Sequence, residues 1–296
     1  MKITFKMLSF ILKEQFFSDF SVLKHCEYRE QIENSDMDIA HIRFLPSDGA
    51  LQNDTLYIAS EPALNERSAV TADHKASLLI AKDPDTAALL LEVLLDIMQR
   101  LIRWDAAFSE GILLGQDACS LFAKGSEFLP YDYSIVDIDM NVAYCTPGYA
   151  LSRAVDGGRV SEEVFQDLVT HKEFHDLASR QGIFYYYASG TDSWDLCRNI
   201  FIHGQDEQYI ARAVLVLPHG LETLPRGAEQ LFAVFSDHVQ EIYSHLNLRP
   251  VHHSDDNMHR LCLALLGEQP VSPDALREVL RTYRWEADHR YTVVLL

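Results

Sequence analysis

The sequence predicts a multi-domain protein of mixed α/β and α+β class, on three observations. The chain has 296 residues, which is more than a typical single domain and enough for two compact domains or two plus a fragment. Its first third contains short apolar runs bounded by Pro, Asp, Asn or Gly, which is typical of strands joined by loops. After residue 105 the pattern changes to short helices and hairpin-like strands, which favours an antiparallel sheet.

Residues 1–82 are predicted to form a small N-terminal α/β domain. Its apolar start is interpreted as an amphipathic helix and not a leader, because Lys13 and Glu14 follow at once and no small-residue cleavage site occurs. Three short strands are predicted at 39–44, 55–59 and 77–81. Each strand ends near a turn-forming residue, so we expect a compact layered unit.

Residues 83–105 predict a linker helix. Asp83 can cap it, and Pro84 stands at the first helical position, where proline costs no hydrogen bond. Two apolar stripes follow the helical period. The first stripe is Leu90, Leu94, Ile97, Leu101 and Trp104, and the second stripe is Leu91, Leu95, Met98 and Ile102. This wide apolar face fits two interpretations equally well. The helix packs onto its own domain, or, as a sharper hypothesis, the first stripe forms a dimer interface.

Residues 106–246 predict an antiparallel sheet flanked by helices. A polar turn containing Asp139 and Asn141 separates two strands of a hairpin. The predicted strands are 134–137, 142–145, 183–188, 196–203 and 209–217, with a helix beginning at Ser161 and a closing helix over 227–246. This order of elements resembles a GAF- or PAS-like sensory fold.

Residues 247–296 begin with a polar joint, LRPVHHSDDN, and then predict two helices and one strand. A domain that ends after its first buried strand would leave ladder hydrogen bonds unpaired. We therefore expect this segment to be the incomplete start of a further α/β domain that belongs to a longer protein.

Composition excludes several classes of function. Lys and Arg total 25 against 44 for Asp and Glu, and the net charge of -19 repels both a phosphate backbone and an anionic membrane surface. No apolar stretch approaches the 18 or so residues of a membrane span. The five cysteines occur singly, which argues against a disulfide framework or a zinc cluster and favours the cytoplasm. They are Cys26, Cys119, Cys145, Cys197 and Cys262.

Motifs for catalysis are missing from the sequence. No G-x-S-x-G elbow, P-loop or G-x-G-x-x-G occurs. His171 and His175 have a metal-ligand spacing with Glu173 between them, but Lys172 stands where zincins have Glu, so a surface helix is the simpler interpretation. A second polar cluster (His252, His253, Asp255, Asp256 and His259) is interpreted as a solvated joint. We expect no enzyme activity, no metal and no cofactor.

An aromatic run, Phe184 to Tyr187, alternates its side chains between the two faces of a strand. Core packing is the simpler explanation. The sharper hypothesis is that a small-ligand pocket forms nearby, since such pockets are mostly apolar with few polar anchors. The candidate lining residues are Tyr144, Tyr149, Tyr185, Tyr187 and Arg198.

Several segments resemble the N-terminal part of PucR/CdaR-type bacterial transcription regulators. The first unit carries IAHIRFLPSDGALQNDTLYIAS, followed by LLIAKDPDTAALLLEVLLDIMQRLIRWDAAFSEGILLG; the middle carries YSIVDIDMNVAY and LCRNIFIHGQDEQYIARAVLVL; the end carries ALLGEQPVSPDALREVLRTYRWEADHRYTVVLL. The resemblance implies a PucR-like N-terminal domain, a GAF-like domain and the start of a degenerate GGDEF-like domain. The family's C-terminal helix-turn-helix has no counterpart in this sequence, so DNA control is implied for a longer parent protein.

The function expected from these patterns is ligand sensing that changes the geometry of a homodimer through helices 84–104 and 228–246. Such control requires that the ligand bind two arrangements with different affinity. One alternative is a stand-alone dimerisation or protein-interaction module that binds no metabolite. Another is a metal-dependent enzyme with its site around His171 and His175.

Overall fold

We describe the protein from a computed structural model. The described residues are 1–16, 28–31, 36, 38–47, 51–52, 54–66, 77–138, 140–153, 155, 158–161, 179–188, 191–202 and 208–245. Most of the predicted helix beginning at Ser161, and the whole predicted domain at 247–296, lie outside them.

The chain divides into two compact units, each described by itself. The first unit comprises residues 1–115, 127–129 and 224–234, and the second comprises residues 116–126, 130–223 and 235–296. The domain boundaries predicted from the sequence, at 82, 105 and 246, stay predictions.

A four-stranded sheet organises the first unit. Its strands are β1 (Tyr28–Gln31), β2 (His41–Phe44), β3 (Thr55–Ser60) and β4 (Ser77–Ala81), and helix α2 (Glu61–Glu66) follows β3. The sheet order is β1-β4-β3-β2, with β2, β3 and β4 parallel and β1 antiparallel at the edge. The three strands predicted from the sequence are confirmed, whereas β1 was not predicted.

Helix α3 (Pro84–Leu113) packs on this sheet. Its start is confirmed, since the Asp83 carboxylate accepts a hydrogen bond from Thr86 N at 2.8 Å. The helix extends to Leu113, beyond the predicted end at 105. Helix α1 (Phe5–Ile11) packs beside it and continues as a π-helical turn over Leu12–Phe16.

The first apolar stripe of α3 is core, which corrects the prediction that it forms a dimer interface. Its side chains are only 0–2% exposed, and the Trp104 ring meets the rings of Phe108 and Phe128 edge-on. These residues are Leu90, Leu94, Ile97, Leu101 and Trp104. Because the first unit already covers them, they have no surface left for a second copy. The second stripe is different: Ile102 is 52% exposed.

A five-stranded antiparallel sheet organises the second unit. Its strands are β5 (Tyr133–Asp137), β6 (Val142–Cys145), β7 (Ile183–Ala188), β8 (Ser193–Ile202) and β9 (Gln208–Val216). The order is β6-β5-β9-β8-β7, and all four pairings are antiparallel. The predicted hairpin is confirmed, and its turn is held by Asn141 N, which donates to the Asp137 carboxylate at 2.8 Å.

Three helices accompany the sheet: α4 (Ala118–Ala123), α5 (Pro147–Ser152) and α6 (Arg226–His245). Within the second unit, α6 lies against one sheet face, where Gln240 Oε1 accepts from Phe201 N at 2.8 Å and the Phe235 ring meets the Tyr133 ring. The predicted fold class, with one α/β sheet and one antiparallel sheet flanked by helices, is confirmed. In the described part of the chain, no helix has the length and apolar character needed to cross a membrane.

Candidate functional site

The two faces of the five-stranded sheet differ in chemistry. On one face, which we call the α6 face, Leu196, Arg198 and Ile200 of β8 point toward helix α6. On the opposite face, which we call the Arg153 face, the alternate residues of β8 are Asp195, Cys197 and Asn199. Apolar packing on the Arg153 face involves Tyr149, Phe184, Tyr186, Ala188, Cys197 and Val214. Polar and charged groups are buried beside this cluster.

Arg153 follows helix α5, and its side chain contacts the first residues of β8. Its Nη2 donates to Ser193 Oγ at 3.0 Å and to the Asp195 carboxylate. The two ion-paired side chains are almost completely buried, with 2% exposure for Arg153 and 8% for Asp195. The other terminal nitrogen of Arg153, Nη1, is buried without a hydrogen-bond partner among the described residues. One arm of the guanidinium is thus fixed, and the other keeps its donor capacity.

A second buried arginine lies on the same face. Arg212 Nε donates to Asn199 Oδ1 at 2.8 Å, and Asn199 Nδ2 in turn donates to the Arg180 carbonyl at 3.0 Å. The Arg212 guanidinium also lies over the Phe184 ring, 5.5 Å from its centroid. We call Arg153, Ser193, Asp195, Asn199 and Arg212 the buried polar cluster.

Burial is the largest cause of the pKa shifts in this region. Desolvation raises the pKa of Asp195 to about 6, although the charges of Arg153 and Arg212 act in the opposite direction. Desolvation likewise raises the pKa of the Cys197 thiol to about 12, so that thiol is neutral and not a nucleophile. The pKa of Tyr149 is also raised by burial. The cluster is therefore suited to binding and not to nucleophilic chemistry.

The structure does not bring the five predicted ligand-binding residues together. Tyr149 lies on the Arg153 face. Tyr144 lies on the other side, with its ring 5.6 Å from that of Tyr133, and Arg198 pairs with Asp237 of α6. Tyr185 and Tyr187 alternate with Phe184 and Tyr186 along β7, so they point away from the Arg153 face. The prediction of one pocket lined by all five is wrong, because Tyr149 lies on the opposite face of the sheet from the other four, and Tyr144 on β6 lies at the opposite edge from β7.

Sequence reasoning missed the buried polar cluster. One signal was available: Asp195 and Arg212 are charged residues within strands that also contain several apolar residues, and a charge in a buried strand requires a partner. The partner of Asp195, however, is 42 residues away in the sequence, which no local spacing shows.

Metal and cysteine chemistry receive no support from the described residues. Among them, no group of three His, Cys, Asp or Glu side chains is placed to hold a metal ion. His171 and His175, which were weighed as a metal site, lie outside the described residues, as do the second polar cluster at 252–259 and Cys26 and Cys262. Cys119, Cys145 and Cys197 are free thiols.

Comparisons with known proteins add a distant structural likeness. No protein-family model matches the chain, and a search of curated proteins finds no match. Among solved structures, the chain is similar to the GAF domain of a sensor histidine kinase from Pseudomonas syringae pv. tomato. The two are 13% identical, the match covers 59% of this chain and 96% of that chain, and the TM-score is 0.32. No residue role or ligand transfers at this level of similarity.

Proposed function

We propose that the second unit is a sensory domain that binds a small ligand on the Arg153 face, within the non-catalytic regulatory region of a PucR/CdaR-type bacterial transcription regulator. The observation that carries the sensory proposal is the buried Nη1 of Arg153, which has no hydrogen-bond partner in the described part of the chain. The quoted sequence segments support the assignment to this type of regulator. An antiparallel sheet flanked by helices also agrees with the GAF-like domain that this resemblance implies.

Arg153 Nη1 is a buried donor of a charged group. Leaving a buried donor unpaired costs about 1–3 kcal/mol, and more for a charged group. The side chain is nevertheless held in place by Ser193 and Asp195 through Nη2. A ligand oxygen that accepts from Nη1 would remove the cost without reorganising the side chain, which is the preorganisation that favours binding.

Regulation requires that binding be coupled to a second event, and we propose that this event is a change in a homodimer. The second stripe of α3 supports such a dimer, because Ile102 is 52% exposed and Leu113, which continues the stripe, is 86% exposed. The apolar side chains of this stripe within 91–102, together with Leu113 further along the same helix, are suitable contacts for a second copy. The same observation favours the alternative function, a dimerisation module that senses no metabolite.

DNA contact is proposed only for a helix-turn-helix in a longer parent protein. The net charge of -19 opposes binding of nucleic acid by this chain itself. The cytoplasmic location expected from the sequence stays part of the proposal.

Ligand-dependent stabilisation tests the sensory proposal. Thermal unfolding of the full chain would be followed with a panel of small anionic, neutral and cationic metabolites, because a ligand that binds the folded state raises the unfolding temperature. The variant Arg153→Gln/Asp195→Asn removes both charges of the pair, and the matched control Arg198→Gln alters an arginine of the same sheet on the opposite face. We expect at least one metabolite to stabilise the wild type and the control but not the double variant. Absence of any stabilising metabolite would favour the dimerisation module.

A further inference from the structure

The charges buried on the Arg153 face do not balance. Among the described residues there, two cations, Arg153 and Arg212, are buried with a single carboxylate, Asp195. When Asp195 is ionised, these buried groups carry one surplus positive charge, and the exposed Arg180 adds a further cation 5.6 Å from the centroid of the Phe184 ring, within a chain whose net charge is -19. A buried charge without a counter-ion is costly. The surplus therefore favours an anion.

The described contacts of Arg212 do not include a carboxylate that would neutralise its charge. Its described contacts are the amide oxygen of Asn199, at 2.8 Å, and the rings of Phe184 and Tyr209, at 5.5 and 5.6 Å. These contacts are favourable, but none is an anion. Both arginines act on the carboxylate of Asp195.

We propose that the buried polar cluster binds the carboxylate group of a small organic monoanion, with Arg153 Nη1 as the principal donor; this rests on the proposed sensory function. A guanidinium presents donors that match a planar carboxylate. The apolar rings on this face favour an anion with an organic body over an inorganic anion. The organic part of the ligand would contact the side chains of Tyr149, Phe184 and Tyr186, which pack on the same face.

Asp195 competes with such a ligand for Arg153. The groups that face this carboxyl are Arg153 and Arg212, which favour its ionised form, and Tyr149 and Cys197, which stay neutral near pH 7 because burial raises their pKa values. Protonation of Asp195 removes one negative charge beside Arg153, while Nη1 stays available to the ligand in both ionisation states of Asp195. With a pKa of about 6 for Asp195, the protonated fraction of Asp195 is roughly eightfold larger at pH 5.5 than at pH 7, and this factor is the upper limit of the rise in apparent affinity for the anion.

The experiment is a calorimetric titration of the full chain with sodium formate and sodium benzoate, compared with formamide and benzamide, their neutral analogues. Titrations at pH 5.5 and pH 7, at constant ionic strength, stay above the isoelectric point of about 5.0. We expect the carboxylates to bind more tightly at pH 5.5 than at pH 7, by up to roughly eightfold, and the amides not to bind. Asp195→Asn should bind the carboxylates at pH 7 as the wild type does at pH 5.5. Arg153→Gln/Asp195→Asn should lose binding, and Arg198→Gln should keep it.

Three results would overturn the inference. Equal binding of the amides and the acids would remove the anion requirement while leaving a ligand sensor, so the proposed function would survive. Tighter binding of inorganic phosphate than of either carboxylate would assign the site to another anion class. Failure of both carboxylates to bind at pH 5.5, and to Asp195→Asn, would exclude a carboxylate site, and the metabolite panel would then decide the sensory proposal separately.

Discussion

Arg153 and Asp195 form an ion pair across 42 residues of sequence, with both side chains buried against one face of the five-stranded sheet. The two side chains of the pair differ in how completely they are hydrogen-bonded. Asp195 receives a charged hydrogen bond, whereas Arg153 keeps Nη1 without a partner among the described residues. Buried ion pairs often contribute little net stability, so this asymmetry points to binding more than to folding.

The pair predicts a rescue pattern in stability. At pH 7, Arg153→Gln removes the counter-charge of a buried carboxylate and should lower the free energy of unfolding by about 3–5 kcal/mol. Adding Asp195→Asn removes the stranded charge, so the double variant should recover most of this loss. Urea unfolding of the wild type and both variants measures it. A double variant as unstable as Arg153→Gln would show that the loss comes from packing and not from charge.

Asp195 also predicts a pH dependence of stability with a defined sign. Its pKa in the folded state, about 6, lies above its ordinary value of 3.8, so its contribution is favourable below pH 4 and is lost as the pH rises through 6. Relative to Asp195→Asn, the wild type should lose about 2 kcal/mol between pH 4 and pH 7. Parallel denaturation curves at the two pH values measure the difference. A constant difference between the two proteins would show that the pKa of Asp195 is not raised.

Gly125 predicts a steric coupling in the second unit. A Cβ at this position would lie 2.7 Å from Cε2 of Phe235 and 2.8 Å from the Tyr133 hydroxyl. Gly125→Ala should therefore destabilise the protein by about 1–3 kcal/mol. Because Phe235→Leu makes room beside the new methyl group, the combined variant should lose less than the sum of the two single changes. Strict additivity in thermal or urea unfolding would contradict this packing.

The second stripe of α3 predicts the oligomeric state. If this stripe forms the homodimer seam, Ile102→Asp places a charge in the interface and should yield a monomer. Gln99→Asp, at an exposed polar position of the same helix, adds the same charge outside the stripe and should leave the dimer intact. Sedimentation velocity of the three proteins measures the result. A wild type that sediments as a monomer at all concentrations would contradict the dimer.

Local sequence rules predicted most strands and both ends of β7, because alternation and turn residues are local signals. They failed for β1, whose sequence YREQ has no apolar alternation. They also ended α3 too early. Ala106, Ala107 and Phe108 continue the helix, which passes through Gly111 and ends before Gly115, whose φ of 67° suits the end of a helix.

The functional site was harder to predict than the fold. The helical period defines two stripes on α3 but does not decide which one the unit covers, and that choice is tertiary. Likewise, strand alternation places Tyr185 and Tyr187 on one face, yet only the sheet shows that Tyr149 lies on the other. The pairing of Arg153 with Asp195 depends on a contact between a short helix and a distant strand, for which the sequence has no periodic signal.

The most direct test of the central claim is a high-resolution crystal structure of the full chain grown with benzoate at pH 5.5. We expect a carboxylate oxygen at hydrogen-bond distance, about 3 Å, from Arg153 Nη1, on the face that carries Asp195 and Cys197. A protein side chain or water alone on Nη1, or benzoate bound beside Arg198 on the α6 face, would contradict it.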